Sequence, residues 1–178
     1  RVGRGDFQVR KGFRGSSVQG AGAFNGKSVA GPETVTSYEA GVKADLLNRR
    51  ARLNFGVFSY TVKDLQVTAV GGAFNANILL PVKKATGQGF EMDLQAYLSD
   101  RVLASVGVGY NDTKIKDPNL VVAVCGNSQN ITTPNCTVRN PQPTPTTANI
   151  NGNPLPQAPK VTANFTLKYT QPTGSGGE

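Results

Sequence analysis

The sequence predicts an all-β fold, an antiparallel transmembrane β-barrel. Three observations carry that prediction. Several segments alternate apolar and polar residues at every position, as strands with two chemically different faces do. The connections between those segments are alternately short and long. No apolar run approaches the roughly 20 residues of a membrane helix, whereas a spanning strand needs only ~9–11, apolar at every second position.

Gly5 to Phe13 reads as a first strand, with Phe7, Val9 and Phe13 on one face and Lys11 sharing it. Arg14 to Glu33 is rich in glycine and serine and reads as a long loop. From Val35 to Leu47, Tyr38, Ala40, Val42, Ala44 and Leu46 oppose Glu39, Gly41, Lys43 and Asp45; Asn48-Arg49-Arg50 is a tight reversal. Ala51 to Val67 is a long run in which Ala51, Leu53, Phe55 and Val57 oppose Arg52, Asn54 and Gly56. Phe58 and Tyr60 fall on the polar parity there, so either they point inward or a β-bulge flips the register.

Thr68 to Thr86 is less regular and reads as a second long connection, with an extended piece at Asn77–Leu80. From Gln88 the alternation is at its clearest: Phe90, Met92, Leu94, Ala96 and Leu98 against Gly89, Glu91, Asp93, Gln95 and Tyr97. After a turn at Ser99-Asp100-Arg101, Val102, Ala104, Val106, Val108 and Tyr110 oppose Leu103, Ser105, Gly107, Gly109 and Asn111. Pro118 to Ala158 is a third long connection, polar and rich in proline and asparagine. The last strand sets Val161, Ala163, Phe165, Leu167 and Tyr169 against Lys160, Thr162, Asn164, Thr166 and Lys168.

Composition narrows the function. With 178 residues, no tryptophan and a negative mean hydropathy, a dense soluble core is not evident; 21 glycines and 11 prolines suit turns and loops. The net charge of +8 is spread along the chain, with basic pairs only at Arg10-Lys11, Arg49-Arg50 and Lys83-Lys84 and no aromatic-interleaved patch, so a solvated face is favoured over nucleic-acid binding. The absence of histidine removes Ser-His-Asp and Cys-His chemistry and His-based metal sites. No constellation supports an enzyme, and no cofactor is expected. Cys125 and Cys136 share one polar segment and suit a loop disulfide in an oxidising compartment, two separate thiols being the alternative. Arg4-Gly5-Asp6 and the acceptor patterns at Asn130 and Asn135 are short enough to arise by chance. The chain begins without methionine and ends in Gly-Ser-Gly-Gly-Glu, so a piece of a longer chain is expected.

A soluble antiparallel sandwich also alternates. The connection rule, with short turns at Asn48–Arg50 and Ser99–Arg101 and long loops elsewhere, favours an outer-membrane barrel and orients it, long loops outside. Tyr38, Phe90 and Tyr110 then lie near the outer rim and Tyr169 near the periplasmic rim, as interfacial aromatic girdles require. The charges Glu39, Lys43, Asp45, Arg52, Glu91, Asp93, Lys160 and Lys168 suit a hydrated lumen.

Several stretches carry more than a pattern. Pro32-Glu33-Thr34-Val35-Thr36-Ser37-Tyr38-Glu39-Ala40-Gly41-Val42-Lys43-Ala44-Asp45, followed by Phe58-Ser59-Tyr60-Thr61-Val62-Lys63-Asp64-Leu65-Gln66-Val67, resembles the barrel of TonB-dependent outer-membrane receptors. Ala85 to Leu94 looks like that family's strand around a Gly-x-Glu element, Asn153 to Lys160 like its entry into a late strand, and Lys11-Gly12-Phe13-Arg14 is similar to its Gly-Phe element. The resemblance spans Lys11 to Tyr169. It implies a barrel of about 22 strands, of which residues 1–178 supply about six from the later part, with the plug domain and TonB box absent from this chain.

It further implies a receptor in the Gram-negative outer membrane. Such a receptor imports a scarce solute (a siderophore, cobalamin or an oligosaccharide) and contacts the TonB complex through the missing N-terminal region. Its partners are then outer-membrane lipid, the solute and TonB, with no nucleic acid. A passive porin and a secreted β-sandwich adhesin or lectin are the alternatives. Ligand-binding residues are unknown at this stage. They are expected in the loops Arg14–Glu33, Thr68–Thr86 and Pro118–Ala158 and the upper lumen, while Glu39, Lys43, Glu91 and Asp93 are expected to pair within the wall or with the plug.

Overall fold

A computed structural model describes residues 3–18, 29–71, 76–123 and 147–171. Ten strands follow one another: β1 (Gly3–Arg14), β2 (Ser17–Val18), β3 (Val29–Ala30), β4 (Glu33–Leu46), β5 (Ala51–Gly71), β6 (Ala76–Ser99), β7 (Val102–Ile115), β8 (Val121–Ala123), β9 (Thr147–Asn149) and β10 (Val161–Tyr169). Six form one antiparallel meander in the order β1-β4-β5-β6-β7-β10, while β2-β3 and β8-β9 are small separate hairpins within two of the connections. The all-β, partial-barrel reading holds: the sheet is open, and β1 and β10 are its edges.

Strand pairing aligns the alternating faces into continuous rows. One row runs Phe7–Ala40–Val57–Phe90–Tyr110–Val161 across all six strands. The next runs Gly5–Val42–Phe55–Met92–Val108–Ala163, and the one below it Gly3–Ala44–Leu53–Leu94–Val106–Phe165. Because the side-chain period is two, one slipped residue would turn an entire strand's apolar set inward, so the hydrophobic pattern itself selects this register.

Among the described residues no layer covers the apolar face. Even in the central strands Val42, Phe55 and Val57 are 39 %, 38 % and 44 % exposed. The buried apolar side chains are instead Ala30, Val62, Val82, Ala85 and Ile115, at the end where the long connections lie, with Ala51 at the turn end. A soluble sandwich would bury this apolar face under a second sheet.

The apolar band has membrane dimensions. From Val102, opposite Tyr169, to Tyr110 the strand rises about 27 Å at ~3.4 Å per residue. At a tilt of ~40° that is about 21 Å of height, against the ~25 Å band of outer-membrane barrels. Phe90 and Tyr110 stack with centroids 5.9 Å apart, and Phe55 lies 6.0 Å from Phe90. One row further toward the long loops the same face turns polar: Tyr38 is followed by Ser59, Gln88 and Asp112. The expected girdle is therefore in place, with Tyr169 at the opposite rim.

Two expectations need correction, and one open alternative is decided. Thr68–Thr86 is not a loop: β5 and β6 stay paired from Thr68↔Leu79 to Gly71↔Ala76 and form one tall hairpin. Its alternation is weak because a sheet that has left the apolar band no longer needs one apolar face. Phe58 and Tyr60 need no bulge, since the β4–β5 register is unbroken from Thr34↔Lys63 to Leu46↔Ala51 and both face inward. The register shift occurs in β6, between Tyr97 and Ser99. Finally, Pro118–Ala158 is not wholly irregular, since it holds the β8–β9 hairpin. Cys125 and Cys136 lie outside the described residues.

The β4–β5 turn is closed by Arg50 N–H donating to the Leu47 carbonyl at 3.1 Å, with Leu47, Asn48 and Arg49 all at positive φ (50°, 54° and 69°). Asparagine adopts this region readily; arginine does so at a cost of about 1 kcal/mol. Arg49→Gly is expected to stabilise the hairpin by up to about 1 kcal/mol, read as a higher midpoint in urea unfolding of the lipid-reconstituted protein.

Candidate functional site

The inward face carries the polar residues, and they converge on a recess of about 600 Å3. Its rows follow from the same register: Arg4–Lys43–Asn54–Asp93, then Asp6–Gly41–Gly56–Glu91, then Gln8–Glu39–Phe58–Gly89–Asn111. Of the residues singled out from sequence, Glu39, Lys43, Glu91 and Asp93 all line it, joined by Asp6 and Asn54. Among the described residues none of those four makes an ion pair with another wall residue. Glu39 accepts a hydrogen bond from Ser37 Oγ at 3.2 Å. The wall's own pair is Asp45–Arg52 at 3.0 Å, nearer the turn end.

At the upper end of the recess Phe58 and Tyr60 stack with centroids 6.2 Å apart and planes 18° from parallel. They lie over Gly89 and Gly87, their register partners on β6. A Cβ at Gly87 would collide with the Tyr60 ring, and one at Gly89 with the Tyr110 carbonyl oxygen, so the two glycines make room for the aromatic pair and for close strand approach. Asn111 Oδ1, on the next strand, is buried without a hydrogen-bond partner among the described residues. An acidic floor and an aromatic ledge together suit a polar solute or a basic peptide segment. Among the described residues no group of acidic or sulfur ligands is arranged to hold a metal.

Two buried polar residues that the sequence did not single out anchor the feet of the long connections. Gln66 donates from Nε2 to the carbonyls of Gly15 (3.1 Å) and Gly31 (2.8 Å) and accepts from Ser17 Oγ (2.8 Å). Its backbone N–H donates to Glu33 (2.9 Å), which also pairs with Arg14 at 2.9 Å. The β2–β3 connection is thereby fixed to β5. On the other side Asp117 accepts from the Lys83 N–H at 3.0 Å, and its own N–H donates to Asn151 Oδ1 at 3.0 Å. The only advance signal was polarity, at an inward strand position for Gln66 and before a proline for Asp117, and polarity alone does not separate an anchor from a solvated residue.

On the outward face, just beyond the girdle, Asp112 pairs with Lys114 (3.3 Å) and Lys160 (3.5 Å); Lys160, expected in the lumen, instead reaches this face, its Nζ 5.6 Å from the Tyr110 ring centroid. Compared with known protein families, the chain matches the one described as TonB dependent receptor-like, beta-barrel, over residues 7–177.

Proposed function

The chain belongs to the TonB-dependent receptor family, and from that premise we propose that it forms part of the wall of an outer-membrane receptor that imports a scarce solute with energy delivered through TonB. Members of this family are transporters rather than enzymes, and their barrels reside in the Gram-negative outer membrane. The solute is of the siderophore, cobalamin or oligosaccharide class. It meets the loops above the sheet and passes along the polar face that holds Glu39, Glu91, Asp93 and Asn111. The plug domain and the TonB-contacting box of such a receptor lie outside residues 1–178.

The observation that carries this reading is the uncovered apolar face set back to back with the polar recess, an arrangement that suits lipid on one side and a hydrated lumen on the other. The test is uptake by cells expressing the intact receptor, supplied in turn with labelled ferric siderophores, cobalamin and oligosaccharides. One class is expected to accumulate above the deletion background, and accumulation is expected to vanish in a strain lacking TonB. Uptake that persists without TonB would identify a passive porin instead.

A further inference from the structure

We infer that the solute is a neutral oligosaccharide and that Phe58 and Tyr60 form the platform on which its sugar rings stack. This rests on the receptor reading above and narrows the solute to one class. The two side chains lie on the inward face of β5 over Gly89 and Gly87, with ring atoms close to where a Cβ at either glycine would sit. Their planes are 18° apart and their centroids 6.2 Å. The pair therefore lies along the wall as one nearly flat surface. One side of it rests on β6; both residues keep partial exposure, so the other side faces the lumen.

Height places the platform where a solute arrives. Val57 belongs to the row of Phe90 and Tyr110 at the outer edge of the apolar band, so Phe58 and Tyr60 stand one and three residues further toward the long connections. The same register sets their polar neighbours. Gln8 and Glu39 are partners at the level of Phe58, and Arg10 and Ser37 at the level of Tyr60. Arg10 Nε donates to Gln8 Oε1 at 2.9 Å, and Ser37 Oγ donates to Glu39 at 3.2 Å, so these groups are held in place. Glu39 keeps lone pairs for further donors, while the Gln8 amide and the Arg10 guanidinium keep N–H groups for further acceptors.

Chemistry selects the solute. Beside the platform Arg10 balances Glu39, and the two levels offer donors and acceptors together. A sugar matches on both counts, because its C–H faces pack on aromatic rings and its hydroxyls both donate and accept. An anionic solute is disfavoured by Asp6, Glu91 and Asp93, which lie below the platform and make no ion pair among the described residues. A compact cation finds a stronger site at those carboxylates than at the balanced platform.

The test is isothermal titration of the intact receptor in detergent with linear neutral hexasaccharides of glucose, xylose, mannose and N-acetylglucosamine, and separately with cyanocobalamin and a ferric tricatecholate siderophore. At least one hexasaccharide is expected to bind, and neither of the other two solutes is. Phe58→Ala and Tyr60→Ala are each expected to weaken that binding about tenfold. Glu39→Gln, which removes no packing, is expected to weaken it about fivefold. Tyr60→Phe keeps the ring and is expected to stay within about threefold of wild type. Binding of none of the hexasaccharides, or alanine and glutamine variants that bind like wild type, would overturn the proposal. So would binding of cyanocobalamin or the siderophore in their place, a result that leaves the receptor reading standing. Uptake that persists without TonB would overturn that reading instead, so the two failures are distinguishable.

Discussion

Replacing Leu94 by arginine is expected to destabilise the membrane-inserted protein by about 2–4 kcal/mol. Leu94 lies between Leu53 and Val106, midway between the Val102 row at the turn end and the Tyr110 row at the loop end, so its side chain meets the bilayer centre. The cost falls with distance from the midplane, because a guanidinium near the interface regains water and headgroup partners. Ser59→Arg, on the same outward parity but beyond the girdle next to Tyr38, is accordingly expected to change stability by less than about 1 kcal/mol. Asn54→Arg, on the inward face beside Asp93, is expected to be equally mild. Urea unfolding of the intact receptor in phospholipid vesicles reads all three. Equal losses at Leu94 and Asn54 would mean that the two faces do not differ as assigned.

A methyl group added at Gly89 is expected to be the most damaging small substitution on the inward face. The new Cβ would press on the backbone oxygen of Tyr110, so β6 and β7 must separate locally, at a cost of about 1–3 kcal/mol. At Gly87 the obstacle is the Tyr60 ring, which is a side chain and can be removed. In the double variant Gly87→Ala/Tyr60→Ala the loss from the alanine is therefore expected to be largely cancelled relative to Tyr60→Ala alone. Truncating Phe58 is expected to leave the loss at Gly89→Ala in place, since the backbone contact persists. Unfolding midpoints of the single and double variants decide it: rescue at Gly89 by Phe58→Ala would show that the aromatic pair, and not strand approach, explains that glycine.

How much of this could be read in advance differs by region, for a physical reason. Within the apolar band, Tyr38–Leu46, Phe90–Leu98 and Val102–Tyr110 sit between two unlike solvents, so every residue reports its face and the strands were legible almost to their ends. Outside the band both faces meet water, and the pattern that marks a strand fades. That is why Thr68–Thr86 reads as a connection in sequence although β5 and β6 remain hydrogen-bonded through it. Residues that owe their role to pairing were likewise invisible. Gln66 and Asp117 act through backbone groups of segments that the sequence alone does not bring together. The inward recess was half legible: Glu39, Lys43, Glu91 and Asp93 were found by parity, while Asp6 and Asn111 were not named as members of it.

The assignment of lipid to one face and water to the other underlies the recess and the girdle alike. Single nitroxide labels placed at each position from Phe90 to Ala96 of the intact receptor, reconstituted in phospholipid bilayers, test it by electron paramagnetic resonance. Collisions with oxygen, which concentrates in the bilayer, and with a water-soluble nickel chelate are measured at every label. The expected result is alternation in opposite phase, oxygen strongest at Phe90, Met92, Leu94 and Ala96 and nickel strongest at Glu91, Asp93 and Gln95. Equal accessibility to both reagents along the strand, or the reverse phase, would contradict it.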